Sequence, residues 1–260
     1  MIDLSQSQID DLHDIKHVCE ELQGELVIIG AIAYQLHFPD DQRQTGDIDF
    51  AIALDQPDFT DLSARLSARR WRQAPDREHR WQSERGNLFD LIPAGRNLRE
   101  SGQITWPNSR LTMSLMGFHH VFSAAVSTRL APDLDLLVIT PIVLMLLKLI
   151  AYMDDPQRRR KDLSDIRALL SKYEAGSDRI FTDAVGEVSE YNLASAFLLG
   201  RDLRSLCTQE ELARVREFIE CVGDEDKAPW WDFVHAAPRS IERNEQTARE
   251  QLETFSFALG

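Results

Sequence analysis

The chain has 260 residues, 43% of them hydrophobic and 28% charged, with 29 Lys and Arg against 43 Asp and Glu for a formal charge of −14. That hydrophobic content excludes a disordered chain, and 12 Gly with 10 Pro exclude a collagen-like or low-complexity one. The acidic balance argues against bulk DNA binding, and three widely spaced cysteines (Cys19, Cys207, Cys221) argue against a disulfide scaffold or zinc ribbon and fit a reducing compartment.

Residues 5–23 predict an amphipathic helix, with Ile9, Leu12, Ile15, Val18, Cys19 and Leu22 at helical spacing and Gly24 as its stop. The polar, acidic start lacks signal- or transit-peptide character, so a cytoplasmic location is expected. Glu25 to Ile29 is a short apolar run bounded by glycine, which predicts a buried strand. Ala31 to Phe38 follows as a short helix closed by Pro39. Thr45 to Leu54 alternates and predicts a second strand; Phe59 to Ala68 predicts a helix and Asn87 to Pro93 a third strand. Phe118 to Ala124 and Leu134 to Ile139 are read as further strands.

From Pro141, well placed as a first helical residue, the pattern turns helical through Met153. The apolar run from Leu134 to Met153 is broken by Asp135, Thr140, Pro141 and Lys148, so it does not predict a membrane span. Asp162 to Tyr173 and most of Asp178 to Leu259 also read as helix. The expected architecture is α+β, with an α/β domain over residues 1–140 and a helical domain over 141–260.

Asp47, Ile48 and Asp49 lie on the second strand. Successive side chains point to opposite faces, so the two carboxylates share one face and Ile48 takes the other. Two acids at that spacing repel unless a cation lies between them. Mg²⁺ or Mn²⁺ suits them, because hard cations take oxygen ligands and bind substrate phosphates. Asp90, in the third strand, is placed as a third carboxylate; three acids on neighbouring strands can hold metal for displacement at phosphorus. Gly30 sits where strand turns to helix, so backbone there can approach a phosphate closely. The plain alternatives are a solvated strand face for Asp47 and Asp49, a simple turn for Gly30 and a paired structural acid for Asp90.

Gly30-Ala31 followed by Arg43-Gln44-Thr45-Gly46-Asp47-Ile48-Asp49-Phe50 resembles the signature of the minimal nucleotidyltransferase superfamily. The form Arg-x-Thr-x-Asp-Ile-Asp-Phe is similar to the AbiEii-type nucleotidyltransferase toxins of type IV toxin–antitoxin systems. Leu147-Lys148-Leu149-Ile150-Ala151 and Arg160-Lys161-Asp162-Leu163-Ser164-Asp165-Ile166 resemble a second block of that family. The resemblance covers about residues 24–170. It implies a nucleotidyltransferase-like mixed β-sheet with flanking helices, followed by a helical half that contributes to the cleft. It implies Asp47 and Asp49 as metal ligands, with Gly30, Ala31, Arg43, Thr45 and Asp165 on the substrate side. Lys148 and Asp162 become active-site residues, beside Asp90. Where the superfamily usually has Gly-Gly or Gly-Ser, this chain has Gly30-Ala31, which keeps the backbone N–H and removes any hydroxyl contact.

Lys148 stands in an apolar helix, where its ammonium needs water or an anion. A triphosphate or a carboxylate would satisfy it, and a snorkelling head is the alternative. Arg65, Arg69, Arg70, Arg72, Arg77, Arg80 and Arg85 cluster with Trp71 and Trp81. Such a stretch either tracks a nucleic-acid backbone or is a surface helix paired with nearby acids. Arg158-Arg159-Arg160-Lys161 is a second basic run, beside the site or in a solvated loop. His119-His120 is read as one in and one out on a strand.

The expected activity is Mg²⁺- or Mn²⁺-dependent transfer of a nucleoside monophosphate from an NTP to an acceptor hydroxyl. The resemblance implies tRNA as acceptor, a toxic outcome and a cognate antitoxin as partner. The alternatives are a small-molecule or protein acceptor, or a degenerate binding module.

Overall fold

Leu26–Ile29 is apolar at every position, as a strand covered on both faces should be. In a computed structural model, which describes residues 4–41, 46–236 and 245–260, this segment is the interior strand β1 of a mixed sheet. The chain divides into two units, Met1–Leu144 and Met145–Gly260.

The first unit holds α1 (Gln6–Glu21), β1 (Leu26–Ile29), α2 (Gly30–His37), β2 (Asp47–Ile52), α3 (Gln56–Ala68), β3 (Arg72–Ala74), β4 (Arg77–Gln82) and β5 (Leu88–Pro93). It continues with α4 (Arg96–Ser101), β6 (Gln103–Thr105), β7 (Thr112–Ser114), α5 (Phe118–Ser123), β8 (Val126–Ala131) and β9 (Leu134–Val138). Seven strands form one sheet in the order β3-β4-β5-β2-β1-β9-β8, and β6 pairs with β7 in a separate ribbon. β1 runs antiparallel to β2 and parallel to β9; β2 runs parallel to β5. Hairpins β3–β4 and β8–β9 close the two sides.

Ser5 and Gln8 cap α1 reciprocally through side chain and backbone. That helix buries Leu12, Ile15, Val18 and Cys19 completely. Phe50, Phe89 and Trp71 pack together in the core, with Phe50 and Phe89 rings 6.4 Å apart and Trp71 and Phe89 rings 4.9 Å apart.

Three readings need correction. Phe118–Ala124 is not a strand: Phe118–Ser123 is the one-and-a-half-turn helix α5, entered through Gly117 at φ +82°. A short apolar run does not distinguish strand from helix by periodicity, and here Phe118, His120 and Val121 are the buried residues. His119 and His120 therefore lie on a helix. The strand that pairs with β9 as a hairpin is β8, which the sequence reading did not identify, and it is joined to β9 across Pro132-Asp133. The arginine-rich stretch is not helical beyond Ala68; it forms β3 and β4. Its strand pattern is masked because charged side chains hide the alternation that Trp81, 1% exposed, reveals.

α6 (Pro141–Asp154) runs across the division. The second unit then holds α7 (Asp162–Lys172), α8 (Arg179–Thr182), α9 (Ala194–Leu206), α10 (Gln209–Gly223), α11 (Ala228–His235) and α12 (Glu245–Leu259). Among the described residues no helix is long and apolar enough to cross a membrane.

α9 and α12 pack closely because Gly200 lacks a side chain. A Cβ built there would lie 2.5 Å from the Phe255 carbonyl oxygen and 3.0 Å from the Ala258 Cβ. Backbone cannot yield as a side-chain tip can. Gly200→Ala is expected to destabilise the protein by about 1–3 kcal/mol through overpacking. That outweighs the helix-propensity gain of about 0.5–1 kcal/mol. Urea unfolding would check it; an unchanged midpoint would refute the close packing.

Candidate active site

Asp47 and Asp49 alternate along β2 with Ile48 and Phe50, which are buried in the core. The strand register extends this face sideways. Ile29 of β1 pairs with Asp49 of β2, Asp49 with Asp90 of β5, and Asp90 with Arg80 of β4. Register partners on adjacent strands project from one face. Arg80, Asp90 and Asp49 therefore form one row across three strands, and Asp47 lies two residues along β2 on the same face.

Arg80 is the cation of this row. Its Nε donates to Asp90 Oδ1 at 2.7 Å and its Nη2 to Asp90 Oδ2 at 2.7 Å. The same Nη2 also donates to Asp47 Oδ2. These bonds to Asp90, with the charges of Asp90, Asp47 and Asp49, hold the guanidinium above its ordinary pKa against the opposing effect of burial. Sequence reasoning grouped Arg80 with a basic patch; its place opposite Asp90 is visible only once β4 and β5 are paired.

Gly30 completes the row at β1. It opens α2 with φ +68°, and a Cβ there would lie 2.1 Å from Asp49 Oδ2. The absent side chain is the space that the Asp49 carboxylate uses. Ala31 follows within the first turn of α2 and is buried. Arg43 and Thr45 lie outside the described residues.

The second unit carries its own cluster. Lys148, on α6, donates to Asp162 Oδ1 at 2.7 Å and pairs with Asp165 Oδ2 at 2.9 Å. The two acids are one turn apart on α7, so they share a face. All three are buried, Asp162 completely. Burial pulls the Lys148 pKa down, but the charges of Asp165 and Asp162 overcome it and raise the ammonium above its ordinary value. Of the anions that could satisfy this lysine, carboxylates are the ones in place. Two residues on, Arg167 is wholly buried with its guanidinium carbon 4.9 Å from the centre of the Phe233 ring. Its guanidinium nitrogens have no hydrogen-bond partner, and burial pulls its pKa to about 10. No feature of the sequence singled it out.

The family model "Nucleotidyl transferase AbiEii toxin, Type IV TA system" matches residues 14–237. The chain belongs to this AbiEii family. It is accordingly a nucleotidyltransferase of toxin–antitoxin type, and the matched span includes both carboxylate clusters. No curated protein matches it. Among solved structures it is similar to the antibiotic-resistance factor ANT(2'')-Ia at 11% identity and TM-score 0.42, covering 86% of this chain and 97% of that one. It is also similar to JHP933 from Helicobacter pylori, at 12% identity and TM-score 0.38 over 99% of this chain and 94% of that one. A nucleotidyltransferase-like antigenic protein from Paracoccidioides brasiliensis shows 15% identity and TM-score 0.39 over 84% and 98%.

The donor set of this AbiEii chain suits a hard divalent cation. It offers carboxylate oxygens from Asp47, Asp49 and Asp90 on one sheet face, and Arg80 already bonds two of these acids, Asp47 and Asp90.

The basic patch resolves differently. Arg65 pairs with Glu21 at 2.5 Å, Arg70 with Glu84 at 2.7 Å, and Arg85 with Asp11 and Asp14 at 2.7 Å each. Trp71 and Trp81 are core residues, 3% and 1% exposed, so neither offers a stacking face. Most of this stretch is a set of ion pairs on a strand hairpin and its neighbours. The second run pairs too: Arg158 with Asp155, Arg159 with Asp162 and Arg160 with Asp232.

Proposed function

We propose that this AbiEii-family enzyme transfers a nucleoside monophosphate from an NTP to a hydroxyl of tRNA, with Mg²⁺ or Mn²⁺ held by Asp47, Asp49 and Asp90. The observation that carries the reading is the register that sets Asp49 opposite Asp90 with Asp47 on the same face. The metal would lower the pKa of the attacking hydroxyl and offset charge on the triphosphate. A bond forms from the acceptor oxygen to the α-phosphorus, the bond to the β-phosphate oxygen breaks, and pyrophosphate leaves.

Gly30 leaves room for the Asp49 carboxylate. The Ala31 N–H, in the first turn of α2, is the donor toward a substrate phosphate. Lys148, Asp162 and Asp165 are taken as active-site residues through their resemblance to the family's second block. The toxin–antitoxin character of the family supports an antitoxin partner, and the tRNA acceptor is carried over by analogy with the family. The pairing of Arg65, Arg70 and Arg85 with nearby acids weakens the electrostatic case for RNA on that stretch. A small-molecule or protein hydroxyl is therefore the second reading.

Purified protein incubated with Mg²⁺, each α-labelled NTP and total tRNA, total protein or no acceptor tests both. Label on RNA, lost in Asp47→Asn, is the expected result. Label on protein or on a small molecule would keep the chemistry and overturn the acceptor. No label, with no nucleotide-dependent stabilisation, would overturn the catalytic reading and favour a degenerate binding module.

A further inference from the structure

Asp49 and Asp90 stand directly opposite on adjacent parallel strands, with Asp47 on the same face. Like charges so placed repel and need a counterion. The chain supplies one itself. Arg80 is fixed opposite Asp90 by the β4–β5 register and engages both oxygens of Asp90 and one of Asp47. The guanidinium thus lies against the oxygens that a divalent ion at this row would take.

We propose that Arg80 is the resident cation of the carboxylate row: it holds Asp90 and Asp47 in place without metal and competes with a divalent ion for their charge. This rests on the metal reading given above. A guanidinium and a divalent ion drawn to the same carboxylate repel each other and compete for its negative charge. The Arg80 side chain is 23% exposed, so a path to solvent exists for its head. Its planar fork matches phosphate oxygens as well as carboxylate oxygens. An arriving triphosphate offers Arg80 a replacement partner while its own metal takes the carboxylates. Metal entry and nucleotide entry are then coupled by one side chain. Arg85, close by in sequence, cannot serve, because its partners are Asp11 and Asp14 on α1.

The test is Mn²⁺ binding to the intact protein without nucleotide, read from the EPR signal of the unbound ion, for wild type, Arg80→Gln, Arg80→Lys and Asp47→Asn/Asp49→Asn. Charge-assisted hydrogen bonds of this kind correspond to roughly a tenfold to hundredfold change in affinity. Arg80→Gln is expected to bind Mn²⁺ tighter by about that factor, and Arg80→Lys, which keeps charge but loses the fork, by less. A second readout is thermal melting. In EDTA, Arg80→Gln should melt below wild type because its acids lack their cation, and Mn²⁺ should raise its Tm more than that of wild type. Should Arg80→Gln fail to fold in EDTA, Arg80→Lys carries the binding comparison, and binding no tighter than wild type would count against the proposal. Equal Mn²⁺ affinity in wild type and both Arg80 variants would overturn the role of Arg80 alone. No Mn²⁺ binding by any of them, or binding retained by Asp47→Asn/Asp49→Asn, would overturn the metal reading and this inference with it.

Discussion

Gly30→Ala is expected to abolish nucleotidyl transfer while leaving the protein folded. Two effects act at this position, and they separate. The first is backbone strain: φ is +68°, where a Cβ costs about 1–2 kcal/mol. The second is collision: the new Cβ would lie 2.1 Å from Asp49 Oδ2 and 2.8 Å from its carboxyl carbon. Either the Asp49 carboxylate moves out of the row or α2 shifts away from β1, and both misplace the reacting groups. A displacement near 1 Å can cost about 10²-fold in rate. Gly102→Ala is the control. Its φ is +70°, yet no heavy atom lies within 4 Å of the added Cβ, so it carries the strain without the collision. Similar losses in Tm, with transfer lost only in Gly30→Ala, would place the defect at Asp49. Equal transfer by the two variants would refute the assignment of Gly30.

Much of this row was legible in the sequence, and the reasons are local. The apolar run ending at Ile29, the glycine after it and the alternation through Asp47-Ile48-Asp49-Phe50 each signal their structure within a few residues. Asp90 could be placed on a strand for the same reason. Its register opposite Asp49 could not, because a parallel pairing between segments some forty residues apart is set by packing and not by local pattern. Arg80 was hidden for a different reason. Charged side chains on β3 and β4 masked the period-two signal, so the stretch read as basic surface and not as the strand that presents one arginine to Asp90. The short helix α5 was misread because six residues are too few for either period to declare itself. In the second unit the need of Lys148 for an anion was foreseeable, since a lysine in an apolar helix requires one; the family resemblance pointed to phosphate, and the structure sets carboxylates there. That both acids of α7 would meet it depended on how α6 and α7 pack.

Lys148→Ala is expected to be the most destabilising of the substitutions considered, by about 3–5 kcal/mol, because it removes the cation that two buried carboxylates share and leaves Asp162 with the more distant Arg159 at 3.5 Å. Asp162 is 0% exposed and Asp165 3%, so water cannot replace the ammonium. The sign of the pH dependence follows from the shift. The Lys148 pKa is raised on folding, so its contribution is fully present below 10.5, its ordinary value, and is lost only as pH rises beyond it. The stability gap between wild type and Lys148→Ala should therefore hold below 10.5 and narrow only above it, a trend that urea unfolding at several pH values would show. Loss of activity in this variant alone would not separate catalysis from folding. Lys148→Met combined with Asp162→Asn and Asp165→Asn removes the charges together, which buried ion clusters tolerate far better than the loss of one partner. That triple variant is expected to recover most of the stability and none of the nucleotidyl transfer. Recovery of both would make the cluster a structural device of the helical unit and leave the chemistry to the carboxylate row on the sheet.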